Sequence, residues 1–449
     1  MYENEQNKKK EGLSEEVLYK IEVSANRYDL LCIEGLALSL RTFLDIAKFP
    51  SFKSSSIQSF NHELNAESSV NEVRPHVCAA ILRNLHFTEE TLIGFMELQD
   101  KLHNNICRGR TLVSMGTHDL DTVTGPFRYA GLNPESFKFV PLNRTECVNG
   151  VELLELLSAD AKLKHYVHLL KNEPLFPAII DSQGRIMSIP PLINSDHSKI
   201  RVDTKNVFLE VTAKDLTKAN IVLNTLIAMF SVYCDEPFTV EEVLVSNSTG
   251  EKLVYPDLKL KTFETNIDYL NKIAGTDLKI DTVSKLLTRM GLETTINDEK
   301  SLSVNVPVTR SDVIHPCDIA EDLAISYGYN NIVKSKPKTI CNGYQQPLNK
   351  LTDLMRLEMA MSGYTECLTM ALVSKQDLFT NLLKEINKEV LSSCVQIFKS
   401  KSSEFEVVRT CLIPGILKTI EANKAHEVRK SGFNLNSCRI KCSKFRMLS

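Results

Sequence analysis

The densest chemistry in the chain is acidic. Asp312, Asp318, Glu321 and Asp322 fall within eleven residues, in the run SDVIHPCDIAED. Asp318, Glu321 and Asp322 stand at i, i+3 and i+4, so a helix places all three on one face. Asp312 lies on the approach to that helix. Like charges at this spacing repel unless something compensates them. Carboxylates suit a hard cation such as Mg²⁺, which keeps several waters and takes only a few protein oxygens. A plainer reading stands beside it: acidic side chains in a first helical turn complement the helix dipole.

A second set is polar and scattered. Gly116 to Asp121 (GTHDLD, with His118) follows an apolar strand. Ser188 to Ser198 (SIPPLINSDHS) carries Ser188, Asn194 and His197, and Glu210 and Thr212 end a third strand. His, Asp, Ser and Thr on loops can hold and hydrolyse an ester. Asp, Asn, Ser and Thr are equally turn and cap residues, and a lone histidine is commonly structural. There is no GxxxxGK[ST], no GxGxxG after a strand, no HExxH and no GxSxG. An ATP site of those kinds, or a metallohydrolase of that kind, is therefore not indicated.

The elements that must position these groups follow from periodicity. His76 to Leu85 reads as a strand. Glu90 to Ile106 reads as a helix, with Leu92, Phe95, Leu98 and Leu102 at helical spacing. Pro174 to Ser188 reads as a hairpin turning at DSQG, Asn206 to Val211 as a strand, and 218–233 as an apolar helix. Further on, Asp281 is placed to cap a helix that ends at Gly291. Thr294 to Val308 is a hairpin, and 316–327 is a second helix. A helix is expected over 348–361, with strand-like runs at 366–372 and 395–399. Near the start, Leu30 to Phe43 has helical spacing with Asn26 and Asp29 as capping residues, and Ser51 to Ser69 reads as a flexible loop. This mixture is an α+β chain of several domains in series.

Composition bounds the rest. At 449 residues the chain is long for one core; a prior of roughly 100–200 residues per domain gives about three domains. A hydrophobic content of 43% and a charged content of 24% are those of an ordinary globular protein. No run of 18 apolar residues is present, so no membrane span is expected. The first twelve residues are polar and do not form a secretory signal. The 12 cysteines form no CxxC pair, which reads as reduced thiols in a cytoplasmic protein. A net charge of −3 neither announces nor excludes a nucleic-acid partner.

Six segments occur in order: ANRYDLLCIEGL (Ala25–Leu36), GTHDLDTVTGPF (Gly116–Phe127), SIPPLINSDHS (Ser188–Ser198), LLTRMGL (Leu286–Leu292), TRSDVIHPCDIAEDLAISYGYNNI (Thr309–Ile332) and VVRTCLIPGILKTIEANK (Val407–Lys424). Together they closely resemble the β subunit of archaeal and eukaryotic cytosolic phenylalanyl-tRNA synthetase. The likeness runs from about residue 19 to residue 424.

The resemblance implies a domain series. Residues 1–72 are a shortened N-terminal module and linker, and 73–245 a mixed-sheet B3/B4 editing-type domain. Residues 257–334 are a small helix-plus-hairpin B5 domain, and 347–425 part of an inactive class II synthetase-like domain. Residues 426–449 are a divergent basic tail that implies a C-terminally truncated or aberrant form. It also implies an α2β2 assembly in which the α subunit attaches phenylalanine to tRNA(Phe) with ATP. The β subunit would bind tRNA and edit mischarged Tyr-tRNA(Phe). The family's Mg²⁺ site, an ion shared with α, maps onto Asp312, Asp318, Glu321 and Asp322. Ser188, Asn194, Glu210 and Thr212 lie in segments that match the editing pocket; His118 and His197 are candidates on chemistry alone. A free-standing misacylated-tRNA deacylase and a non-enzymatic truncated isoform remain as alternatives.

Overall fold

Strands without polar alternation must be covered on both faces, and the sequences HVCAAIL and VFLEVTA are of that kind. They form β3 (His76–Leu82) and β9 (Val207–Ala213), and six of seven residues of β3 and all of β9 are buried. The computed structural model describes residues 20–56, 62–336, 339, 343–384 and 391–424. The chain divides into two units, Met1–Ser335 and Lys336–Ser449.

In the first unit a five-stranded sheet has the order β1 (Lys53–Ser55), β10 (Thr239–Glu241), β3, β9 and β4 (Val113–Asp119). A seven-stranded sheet has the order β12 (Lys252–Tyr255), β11 (Val243–Ser246), β2 (Leu64–Ala66), β5 (Phe127–Leu132), β6 (Phe176–Ile180), β7 (Ile186–Ile189) and β8 (Ile193–Asn194). Both sheets mix parallel and antiparallel pairs. They meet where Phe127 of β5 packs on Phe208 of β9, ring centroids 4.4 Å apart.

The helices follow from the same economy of burial. α1 (Ile33–Phe43) and α2 (Glu89–Asn104) flank the first sheet's core, and α2 begins at a capping box between Thr88 and Thr91. α3 (Gly150–Ser158) covers a second core cluster that includes Leu153, Leu157 and Phe176. α4 (Leu216–Phe230), capped by Asp215, packs on β3 and β9. Leu216–Tyr233 is the one described helix long and apolar enough to cross a membrane, but it is mostly buried in the core against those strands.

A third core holds α5 (Ile267–Ala274), α6 (Ile280–Arg289) and α7 (Pro316–Tyr327) against a sheet of order β13 (Lys261–Asn266), β15 (Ser301–Val306), β14 (Glu293–Ile296). The second unit contains α8 (Pro347–Met361), a two-stranded sheet of β16 (Leu372–Val373) and β17 (Val407–Val408), α9 (Lys375–Leu378) and α10 (Ile413–Ala422).

Several local expectations are corrected. The Ser-rich 51–69 stretch supplies β1 and β2, which pair parallel with strands distant in sequence; residues 57–61 lie outside the described residues. Asp281 sits in the first turn of α6 while Lys279 takes the cap position. Asp29 caps nothing: it is buried and pairs with Arg27 at 2.7 Å, and α1 starts only at Ile33. Of the two late strand-like runs, 366–372 contributes only Leu372 to a strand, and 395–399 makes a single bridge, Gln396 to Val407. The tail at 426–449 lies outside the described residues.

Candidate active site

β9 is apolar except for Glu210 and Thr212, and both are buried, Glu210 at 1% exposure. A carboxylate buried in such a strand is costly unless polar groups meet it. Ser188 on β7 does so, donating from its hydroxyl to Glu210 Oε1 at 2.8 Å. Across the antiparallel ladder Glu210 faces Gly116 of β4. A Cβ at position 116 would collide with the Glu210 carboxylate and stand 3.0 Å from His118 Nε2. Glycine therefore lets these two polar groups close over the strand.

His118 is fully buried. Its Nδ1 hydrogen-bonds with Ser198 Oγ at 2.8 Å, and its Nε2 lies 3.9 Å from Glu210 Oε1. Glu210 Oε2 and His118 Nε2 meet no hydrogen-bond partner among the described residues. Thr212 exchanges a hydroxyl bond with Ser114 at 3.0 Å, and its carbonyl accepts from Arg74 at 2.9 Å.

Ser188 and Glu210 border a cavity of about 370 Å³, lined also by Asn194, Gln99, His103 and Arg110 among others. A more apolar cavity of about 350 Å³ shares Met96, Asp100, Leu142, Asn143 and Asn194 with it and adds Leu92, Ile93 and Ile200. Of the residues singled out in sequence, Ser188, Asn194 and Glu210 come together on the cavity wall. Thr212 and His118 stand behind Ser114 and Glu210. His197 is not on the wall; it is half-buried, bonded to Ser195 Oγ at 2.9 Å, and its pKa is lowered by burial and the Arg185 charge.

Among the lining residues that sequence reasoning missed are Gln99, His103 and Arg110. Gln99 and His103 share the buried face of α2 with Phe95, Leu98 and Leu102. Polar side chains on an apolar helix face were the readable signal. Arg110 donates to the carbonyls of Pro191 and Leu192 at 3.3 and 2.9 Å and stacks on Tyr166, 4.4 Å from its ring centroid. It ends a left-handed run in which Arg108, Gly109 and Arg110 have φ of 48°, 59° and 63°, a conformation that non-glycine residues adopt at a cost. Chemically, the wall offers a carboxylate and a hydroxyl to a polar side-chain tip, beside an apolar extension fit for a ring.

α7 carries Asp318, Glu321 and Asp322 at the expected spacing, but their partners differ. Arg310, 3% exposed, donates to Asp312 at 3.0 and 2.8 Å and to Asp322 at 2.6 Å. Burial works against the Arg310 charge, but the bonds and fields of Asp312 and Asp322 hold its pKa above the ordinary range. Asp318 Oδ2 accepts the amides of Ile314 and His315, both at 2.9 Å, and so caps α7. Glu321 is exposed. Among the described residues no group of three His, Cys, Asp or Glu side chains is placed to hold a metal ion. Arg310 and the amides at the start of α7 take up oxygens of Asp312, Asp322 and Asp318. The guanidinium two residues before Asp312 supplies the compensating charge that their spacing demands.

Comparison with known proteins now bears on both sites. Family models match in series: the Phe-tRNA synthetase beta subunit B1 domain over 1–46, the B3/4 domain over 99–234, the tRNA synthetase B5 domain over 263–329, and the phenylalanyl tRNA synthetase beta chain CLM domain over 332–441. Gln99, His103, Arg110, Ser188, Asn194 and Glu210 of the cavity wall lie within the B3/4 match, and Arg310 with its carboxylates within B5. The chain is 46% identical over 436 residues to the phenylalanine–tRNA ligase beta subunit of Mus musculus, covering 97% of this chain and 74% of that protein. It is 45% identical to that of Dictyostelium discoideum, covering 96% and 70%. A crystal structure of an N-terminal fragment of the Pyrococcus horikoshii phenylalanyl-tRNA synthetase beta subunit superposes with a TM-score of 0.63 at 31% identity, over 68% of this chain and 85% of that one. The α+β domain series, the ordered motifs and these relatives agree: the chain belongs to the phenylalanine–tRNA ligase β-subunit family.

Proposed function

We propose that this chain works as the β subunit of an α2β2 ligase whose α subunit performs the ATP-dependent charging of tRNA(Phe), and that the cavity around Ser188 and Glu210 hydrolyses mischarged Tyr-tRNA(Phe). The observation that carries the editing part is the buried Ser188–Glu210 pair on the cavity wall. Glu210 Oε2 is buried without a hydrogen-bond partner among the described residues, which suits it to accept a phenolic hydroxyl. A phenylalanyl ester would leave that oxygen unpaired. Sites built around a substrate hydroxyl reject the analogue without it by about 10⁴–10⁵. Asn194, on the same wall, is a further polar contact, while Thr212 and His118 brace Glu210 and its strand.

The ligase reading draws on the relatives' names and on the domain series. ATP reacts as its Mg²⁺ complex, so Mg²⁺ belongs with the nucleotide on the α subunit. An ion shared at the subunit boundary would have to draw on Asp318 and Glu321 and on donors from the partner, because Arg310 already occupies Asp312 and Asp322. Free cysteines among the described residues, and an Arabidopsis thaliana relative named as cytoplasmic, support a cytoplasmic location.

Co-expression with the α subunit, followed by sizing and a Phe-tRNA(Phe) charging assay, tests the assembly. A charging heterotetramer is expected. Failure of the two chains to associate would remove the subunit reading. One observation favours a second reading, a free-standing misacylated-tRNA deacylase: every residue lining the cavity lies in the first unit. Deacylation without the α subunit tests it.

A further inference from the structure

His103 lines the cavity from α2 and is 5% exposed. Its Nε2 accepts the main-chain N–H of Met115 at 3.2 Å. A backbone amide only donates, so Nε2 is unprotonated and the neutral ring carries its proton on Nδ1. Met115 lies on β4, an edge strand, and His103 takes one of the amides that an edge leaves over. The other nitrogen, Nδ1, has no hydrogen-bond partner among the described residues. A buried donor left unmatched is destabilising, a cost that a ligand acceptor removes. Burial, then the charges of Arg110 and Arg74, keep the ring's pKa well below its usual range. The Nδ1–H is thus a fixed donor at neutral pH.

We propose that His103 is a catalytic residue of this pocket, its Nδ1–H binding the carbonyl oxygen of the aminoacyl ester. The inference rests on the hydrolytic reading above. A substrate ammonium only donates, so it cannot meet an N–H. The phenolic hydroxyl is matched by the Glu210 carboxylate. The ester carbonyl is an acceptor at the bond to be cleaved, and its oxygen is the atom on which negative charge grows. Hydrolysis adds a water oxygen to the carbonyl carbon and breaks the bond from that carbon to the ribose oxygen. One water proton ends on the ribose oxygen, restoring the tRNA hydroxyl. The other leaves to solvent as the tyrosine carboxyl ionises. A preorganised donor at the developing oxyanion lowers this barrier without rearrangement.

His103 also has a structural task, the bond to Met115, and two substitutions separate the roles. His103→Gln places an amide oxygen where Nε2 stands and keeps the Met115 bond, but has no donor at the Nδ1 position. His103→Asn places its amide nitrogen where Nδ1 stands and loses the Met115 bond. The full chain is assayed with Tyr-tRNA(Phe) under single-turnover and steady-state conditions, beside a thermal melt. His103→Gln is expected to lose about 10²–10³-fold in kcat, with KM and melting temperature little changed. His103→Asn is expected to melt earlier yet keep a clearly larger share of the deacylation rate than His103→Gln. A loss in His103→Asn equal to or greater than that in His103→Gln, or a loss in neither, overturns the proposal while leaving the hydrolytic reading intact. An unsubstituted chain that leaves Tyr-tRNA(Phe) uncleaved overturns both.

Discussion

The Ser188 hydroxyl on β7 and the Glu210 carboxylate on β9 belong to different sheets and meet over 2.8 Å at one cavity wall. The bond fixes Oε1 and leaves Oε2 for a ligand. Glu210→Gln keeps the shape and removes the charge. Deacylation of Tyr-tRNA(Phe) should fall by about 10–10²-fold, the size of loss expected when a hydrogen bond from the substrate to a charged group is removed. The melting temperature should hold or rise, since a buried charge with an unbonded oxygen is gone. Single-turnover rates measured beside a thermal melt check both halves.

Gly116 is needed for space rather than for an unusual backbone angle. In Gly116→Ala the new methyl collides with the Glu210 carboxylate, and overpacking of this kind costs about 1–3 kcal/mol. Adding Glu210→Ala should return part of the stability. A double-mutant cycle by urea unfolding reads the coupling; additive effects would mean that the two residues do not press on each other.

Arg310 holds Asp312 and Asp322 together in the B5 module. Arg310→Leu leaves two buried carboxylates without their cation, which should cost about 3–5 kcal/mol. Arg310 supplies the compensating charge in this network, so a chelator should leave the thermal melt of the isolated chain unchanged. A melt that drops on chelation and recovers with Mg²⁺ would show an ion where the guanidinium is placed.

His103 also predicts a pH dependence of stability. An unfolded histidine takes a proton near pH 6.5, whereas burial and the nearby arginines keep the folded one neutral well below that. Below about pH 6.5 the unfolded state therefore binds more protons, and stability falls as pH falls. Above it the contribution is fully present. The slope reaches at most about 1.4 kcal/mol per pH unit for one group. Urea unfolding between pH 5 and 7.5 should show a shallower decline in His103→Asn than in the unsubstituted chain. Parallel curves would place the proton uptake on other groups.

What the sequence disclosed depended on how local the cause was. α7 follows from its capping box, its Pro316 start and its period, and its acidic face was plain. That Arg310 would divide those carboxylates was not, because its contact with Asp322 spans twelve positions and depends on how the segment turns into the helix. β1 and β2, with sequences KSS and LNA, have little strand propensity. They exist because β10, β11 and β5 offer them backbone partners. Glu210 was legible as a carboxylate in an apolar strand, but its meeting with Ser188 depends on the arrangement of two sheets. His103 is legible as a polar residue on the apolar face of α2, but its bond to a backbone amide is not, because no side-chain pattern records it.

The most direct test of the central claim is a paired deacylation assay, with this chain alone and Tyr-tRNA(Phe) or Phe-tRNA(Phe) as substrate. The hydroxyl-recognising wall of Ser188 and Glu210 predicts release of tyrosine with phenylalanine spared, and loss of the tyrosine activity in Glu210→Gln. Equal hydrolysis of both esters, or of neither, would contradict it.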